Sequence, residues 1–254
     1  MINPKELRGR DQGFTIIELM IATAVLSTIL VTVTVMMISI GNLYYKGVNQ
    51  ARVQDDTRSI IDEVSQNLEF YDQSSIAHLG PNPDGTQTYC IGTTRYTYVV
   101  GVQIGTAPPA SPSGTPAFDH VLWRDTVHSA NSCTPANLEA TNPSTGTDPG
   151  APGNNATNGV ELISPSSRLV VFSISPSSSP YTINIGVAYG DNDLLCSPAV
   201  NIGGAPSCSA DGTMSALGNY TGGDLQCKGS KINGSQFCSV AKLSTTAVQR
   251  LTLD

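Results

Sequence analysis

The chain begins with a short charged stretch and then almost stops carrying charge. From Phe14 to Ile40, 27 consecutive residues are apolar or small and uncharged, with Glu18 as the one ionisable side chain. At 1.5 Å per residue such a run makes a helix about 40 Å long. A bilayer's hydrocarbon core is about 30 Å thick, so the segment is expected to cross a membrane. The competing reading is a core helix of a soluble protein, where apolar runs of this length are rare. The pattern then changes period. Val53, Thr57, Ile60, Val64, Leu68 and Tyr71 recur at spacings of three and four, which marks one face of a helix. Arg58 and Asp62 are spaced as an i,i+4 pair on another face, among Asp55, Asp56, Glu63 and Glu69. One helix is expected from Phe14 to about Tyr71, with its outer stripe docked on a head. Gly41 and Gly47 are its weak points.

Past the helix the pattern turns to β. "GPNPDGTQ", Gly80 to Gln87, is rich in turn formers and is expected to close the helical region. Strand candidates are Thr94–Ile104, Phe118–Arg124, Arg168–Ser175, Tyr181–Tyr189 and Val248–Leu253. "RLVVFSISPSSSPYTINIGVAYG" reads as an antiparallel pair joined by a Ser/Pro loop. The predicted class is α+β: a long N-terminal α-helix, transmembrane in one half and amphipathic in the other, packed on an antiparallel β-sheet head. Gly105–Ala117 and Thr141–Gly159 are rich in Gly, Pro, Ser and Thr and are expected to be long surface loops.

Charge sets the topology. Lys5, Arg8 and Arg10 precede the apolar run, and this short basic flank is expected to stay in the cytoplasm with the C-terminal bulk outside. All six cysteines (Cys90, Cys133, Cys196, Cys208, Cys227 and Cys238) fall on that outer side. An even number in an exported domain points to disulfides. Short separations favour Cys196 with Cys208 and Cys227 with Cys238, which leaves Cys90 for Cys133.

No H-E-x-x-H, G-x-S-x-G or Walker A pattern occurs. His78, His120 and His128 lack metal-ligand spacing. Asp191 and Asp193 in "YGDNDLLC" form a calcium candidate, without the glycine and distal glutamate of an EF-hand loop. The formal charge of −7 argues against nucleic acid as a direct partner, and Lys228, Lys231, Lys242 and Arg250 are scattered. No enzymatic activity, cofactor or metal is expected.

The leader is not an ordinary secretory signal, because the apolar run is too long and no small-residue cleavage site follows it cleanly. "GFTIIELMIA" resembles the processing site of type IV prepilins and of the pseudopilins of type II secretion: a short basic leader ending in Gly13, the aromatic Phe14, Glu18 four residues on, and a long apolar helix. The resemblance spans only about the first sixty residues. It implies cleavage between Gly13 and Phe14 by a prepilin peptidase and methylation of the new Phe14 terminus. It implies the segments 1–13 as leader, 14–40 as membrane and filament-core helix, 41–72 as its amphipathic continuation and 73–254 as exported head.

A carboxylate at membrane depth costs about 2.5 to 3.5 kcal/mol and usually has a partner. For Glu18 two roles stay open on the residues alone: pairing with a terminal amine, or capping its own helix and reaching the interface. The resemblance favours the amine of a neighbouring subunit, and so a role in assembly. It further implies a single-pass subunit that passes from the cytoplasmic membrane into an extracellular filament. Its partners would be other subunits, the peptidase, an assembly platform and a motor ATPase. Major pilins of the family commonly carry a proline in the apolar half; none lies between Phe14 and Tyr71, which points to a minor subunit or a pseudopilin. A membrane-anchored exported enzyme or binding domain is the alternative of another class.

Overall fold

The computed structural model describes residues 13–82, 85–106, 117–127, 133–139, 159–175, 179–191, 194–196, 225–227 and 235–250. Helix α1 runs Ile16–Phe70. The chain separates into two compact units, 1–44 and 45–254.

The first unit, among its described residues, is helix with a short extended entry, and it buries no side chain. Its hydroxyls are satisfied locally. Thr23, Ser27, Thr28, Thr32, Thr34 and Ser39 each donate to a carbonyl three or four residues back, at 2.8–3.0 Å. Such back-bonding removes the cost of carrying a hydroxyl in an apolar medium.

In the second unit the period-3.6 stripe meets its partners. Val53, Thr57, Ile60, Ile61, Val64 and Leu68 are buried, and the Thr57 hydroxyl donates to the Val53 carbonyl at 2.6 Å. Strands β1 Ile76–Leu79, β2 Gln87–Ile91, β3 Thr94–Tyr98, β4 Leu122–Thr126 and β5 Val160–Glu161 form an antiparallel sheet in that order. Strands β6 Ser167–Ser175, β7 Tyr181–Tyr189 and β10 Ser239–Ala247 form a second, with β7 central. A short pair, β8 Leu195–Cys196 and β9 Gln226–Cys227, completes the set. One apolar core joins the helix stripe to Tyr89, Tyr96, Tyr98 and Leu122 of the first sheet and to Leu169, Phe172, Ile183 and Ile185 of the second. The Phe172 ring stands edge-on to Tyr98 at 4.8 Å and to Tyr89 at 5.5 Å, arrangements that add to burial alone.

The mixed α+β class agrees with the sequence. Several boundaries differ. "GPNPDGTQ" is the β1–β2 connection; the helix has already ended at Phe70. The strand expected to reach Ile104 stops at Tyr98, and Gly101 adopts a φ of 79°, which ends extended pairing. The last strand among the described residues is Ser239–Ala247, ahead of the expected Val248–Leu253, of which 248–250 are not strand and 251–253 lie outside the described residues; the polar run in β10 is tolerated because it is an edge strand. Strands β1, β2, β5, β8 and β9 have no counterpart among the strand candidates. Ion pairs among the described residues do not include Arg58 with Asp62. Acids beside the buried stripe reach across to the head, Glu63 to Arg124 at 3.1 Å and Glu69 to Arg250 at 2.9 Å, and an exposed i,i+4 pair is worth too little to hold its geometry. The expected loops lie largely outside the described residues, at 107–116 and 140–158.

Gly92 shows how tightly helix and sheet meet. It opens the two-residue β2–β3 turn with a φ of 60°, and a Cβ there would stand 2.1 Å from the Tyr71 ring. Tyr71 completes the contact with a 3.1 Å hydrogen bond between its hydroxyl and that of Thr93.

The first sheet is covered on both faces. On the side away from the helix lie Thr88, Cys90, Arg95, Thr97 and Asp125, all buried although four are polar. Residues 133–139 cover them. Cys133 is bonded to Cys90, the Ala136 amide donates to the Thr97 hydroxyl at 3.0 Å, and the Arg95 guanidinium donates to the Thr134 carbonyl at 2.8 Å. Arg95 also makes a two-pronged ion pair with Asp125, its register partner on β4. A buried charge needs this degree of pairing. A second disulfide, Cys227–Cys238, ties β9 to the start of β10. Cys227–Cys238 is one of the two pairs that short separations favour, and Cys90–Cys133 is the pair left over; for Cys196 with Cys208, Cys208 lies outside the described residues.

Candidate functional site

The residues singled out at the start of the chain form one local structure. Gly13, Phe14 and Thr15 are non-helical and exposed, so the Gly13–Phe14 bond is open to solvent. Thr15 is the helix cap: its carbonyl accepts from the Leu19 amide at 3.2 Å. Glu18 folds back, and its Oε2 accepts from the Thr15 amide at 2.9 Å and from the Thr15 hydroxyl at 2.8 Å. The Glu18 amide in turn donates to Thr15 Oγ1 at 3.3 Å. This is a capping box, T-x-x-E, which satisfies otherwise orphaned amides and sets a negative charge against the positive end of the helix dipole. Thr15 was missed in the sequence, although "TIIE" ahead of an apolar run is the signature of this cap. Among the described residues Glu18 Oε1 has no partner.

Beyond the cap the helix presents a bare apolar surface. Phe14 is 86% exposed, Val25 53% and Leu43 73%. Burying one large aliphatic or aromatic side chain is worth about 1.5–3 kcal/mol, and a soluble monomer does not leave so long a continuous apolar surface in water. The helix is long and apolar enough to cross a membrane.

The candidates in the head are not brought together. His78 stacks on Tyr89 at 4.2 Å, and partial burial lowers its pKa. The His120 ring lies 4.3 Å from that of Trp123, tilted by 58°, and meets Glu161 at 3.2 Å. That Glu161 carboxylate also accepts from the Val121, Leu122 and Ile163 amides, so it fastens β5 to β4. His128, Lys228 and Lys231 lie outside the described residues. Lys242 is on β10, and Arg250 pairs with Glu69.

For the calcium candidate, Asp193 lies outside the described residues, while Asp191 acts electrostatically on Arg168. Arg168 is buried, donates to the Gly190 carbonyl at 2.8 Å, and has its pKa lowered by burial to about 10. A buried guanidinium is a poor neighbour for a second cation. Among the described residues no group of three or more His, Cys, Asp and Glu is placed to hold a metal. An open polar cleft of about 360 Å³ is lined by Glu63, Gln66, Asn67, Thr94, Arg124, Asp125 and Thr126. Its charges are already paired, Glu63 with Arg124 and Asp125 with Arg95, which leaves it no activated nucleophile or base.

Residues 8–34 match the family model described as the prokaryotic N-terminal methylation motif. The match covers the end of the basic leader, the Gly13–Phe14 junction, the Thr15–Glu18 cap and most of the apolar run. It is the leader motif of type IV pilin-like precursors, and with the exposed helix behind it the chain fits a single-pass, membrane-anchored protein. No curated protein and no solved structure matches the chain.

Proposed function

We propose that the chain is the precursor of a filament subunit, a minor pilin, cut between Gly13 and Phe14 and methylated on Phe14. The observation that carries this reading is the coincidence of the methylation motif over residues 8–34 with a helix whose large apolar side chains from Ile16 to Leu43 are all exposed. Lipid covers that surface before assembly, and the helices of other subunits cover it in the filament core, where packing exchanges one apolar neighbour for another. The N-terminus faces the cytoplasm and the head faces outward. Prepilin peptidase, an assembly platform and a motor ATPase are the partners this route requires. A pseudopilin of a secretion or DNA-uptake machine follows from the same motif and the same helix.

Glu18 has two tasks that do not conflict. One carboxylate oxygen caps its own helix through Thr15; the other is left to receive the methylated amine of a neighbouring subunit's Phe14. In a low-dielectric filament core a one-turn slip would part these charges at high cost, so the pair fixes axial register.

Mass spectrometry of the mature protein tests the processing. A methylated Phe14 terminus is expected; an intact Met1 in cells with an active prepilin peptidase would overturn the proposal. In the variant Glu18→Ala, processing should persist while incorporation into filaments falls at least about tenfold. Incorporation at the unsubstituted level would remove Glu18 from the mechanism.

A further inference from the structure

The base of the head carries an exposed aromatic pair from opposite ends of its sequence. Tyr45 follows the last residue of the apolar run, Ile40, by five positions. Its ring lies 5.7 Å from that of Phe237. Both remain open, Tyr45 at 53% and Phe237 at 43%, although each is large and apolar. The contact is built: Asn49 Nδ2 donates to the Gln236 carbonyl at 3.4 Å, and the Cys227–Cys238 disulfide pins the residue next to Phe237.

Charge along the helix changes at this level. Between Gly41 and Gln54 the charged residues are Lys46 and Arg52, both cations and both exposed. From Asp55 to Asp72 there are six acids against Arg58 alone.

We propose that Tyr45 and Phe237, flanked by Lys46 and Arg52, form a foot that seats the head in the anionic headgroup layer of the bilayer its own helix crosses. Hydrocarbon and headgroup layers together span about 40–45 Å, and the run from Phe14 to Ile40 covers about 40 Å. Tyr45, 31 residues beyond Phe14, is about 46 Å along the helix, and at the ordinary tilt of about 20° this is about 44 Å across the bilayer, in the outer headgroup layer, where amphipathic rings partition and where each cation near an anionic surface contributes about 1 kcal/mol. The acidic stretch beyond lies farther out, where the same surface repels it. The foot rests on the membrane-anchored reading of the helix.

The test is depth-dependent fluorescence quenching on the full chain in vesicles of phosphatidylcholine and phosphatidylglycerol, with spin labels near the headgroup. The native Trp123 supplies a background, measured on the unsubstituted protein. Phe237→Trp places a second reporter at the foot. Val248→Trp places one at the far end, because Val248 is 62% exposed and lies two residues before Arg250, whose amide donates to the Glu69 carbonyl. That level is about 36 Å farther along the helix than Tyr45. The F237W protein should be quenched at least about twofold more than V248W, and replacing phosphatidylglycerol by phosphatidylcholine should reduce the difference. Equal quenching of the two variants overturns the foot even when the protein floats with the vesicles. Failure to float overturns the membrane anchor as well, so the two failures are told apart. If a second copy of the chain covers the pair instead, F237W is not quenched and its emission changes with the protein-to-lipid ratio, which also overturns the proposal.

Discussion

Individual side chains in this head are held in ways that pH should expose. Tyr96 and Tyr98 sit in the core, and burial raises their phenol pKa values strongly; Tyr89 and Tyr181 are raised for the same reason. In the unfolded chain a phenol ionises near pH 10. Below that pH both states are protonated and these groups add no slope. Above it the unfolded chain gives up protons that the fold retains, so stability falls as pH rises, by up to about 1.4 kcal/mol per unit for each phenol. Arg168 works in the opposite direction. Burial lowers its pKa to about 10, so above that value the unfolded state holds the extra proton and stability gains with pH. One guanidinium against four phenols leaves a net loss. Urea midpoints followed by Trp123 fluorescence should drop between about pH 9 and about pH 11, and more gently for Tyr98→Phe. An unchanged slope in that variant would show that Tyr98 ionises alike in both states. At this scale the sequence was only partly legible. Glu18 stood out because it is alone in an apolar run. Arg95 and Asp125 did not, because a lone arginine among threonines and tyrosines in "TRYTY" and the adjacent Arg124 and Asp125 in "LWRDT" carry no local sign of burial. Among the described residues it is the segment 133–139, tied there by Cys133, that makes their face of the sheet interior.

Whole elements were legible where one pattern decides them. The stripe from Val53 to Leu68 needs nothing beyond its spacing, and β6 and β7 are long enough to declare themselves. Strands β1, β2 and β5 have two to five residues each, too few for a local alternation to declare them, and β5 pairs with the distant β4. The stripe yields a direct prediction. Leu68 is fully buried in the core joining helix and sheets, so Leu68→Ala should cost about 2–5 kcal/mol. Leu43 is of the same residue type on the same helix but exposed, so Leu43→Ala should change head stability by less than about 0.5 kcal/mol. Denaturant unfolding in detergent, read through the single tryptophan, separates the two. Equal effects would mean that the outer helix does not share the core.

At the scale of the whole molecule, one helix serves two units with opposite demands on their surroundings. Every buried side chain among the described residues belongs to the unit 45–254, beginning with Val53. The unit 1–44 contributes no buried side chain there and leaves its apolar surface bare. Stability of the head should therefore not depend on the membrane segment. A chain of residues 45–254, exported to an oxidising compartment, should fold as a soluble protein with the Cys90–Cys133 and Cys227–Cys238 bonds formed. Its cut removes no core contact, and fraying of the first turns before Val53 costs little because those residues are exposed. Its denaturation midpoint should lie within about 1 kcal/mol of that of the full chain in detergent, and its amide exchange should show protection from Val53 through Leu68. A truncated chain that aggregates or lacks protection along that stripe would mean that the apolar segment is needed to form the head. The two units would then have to be treated as one folding unit.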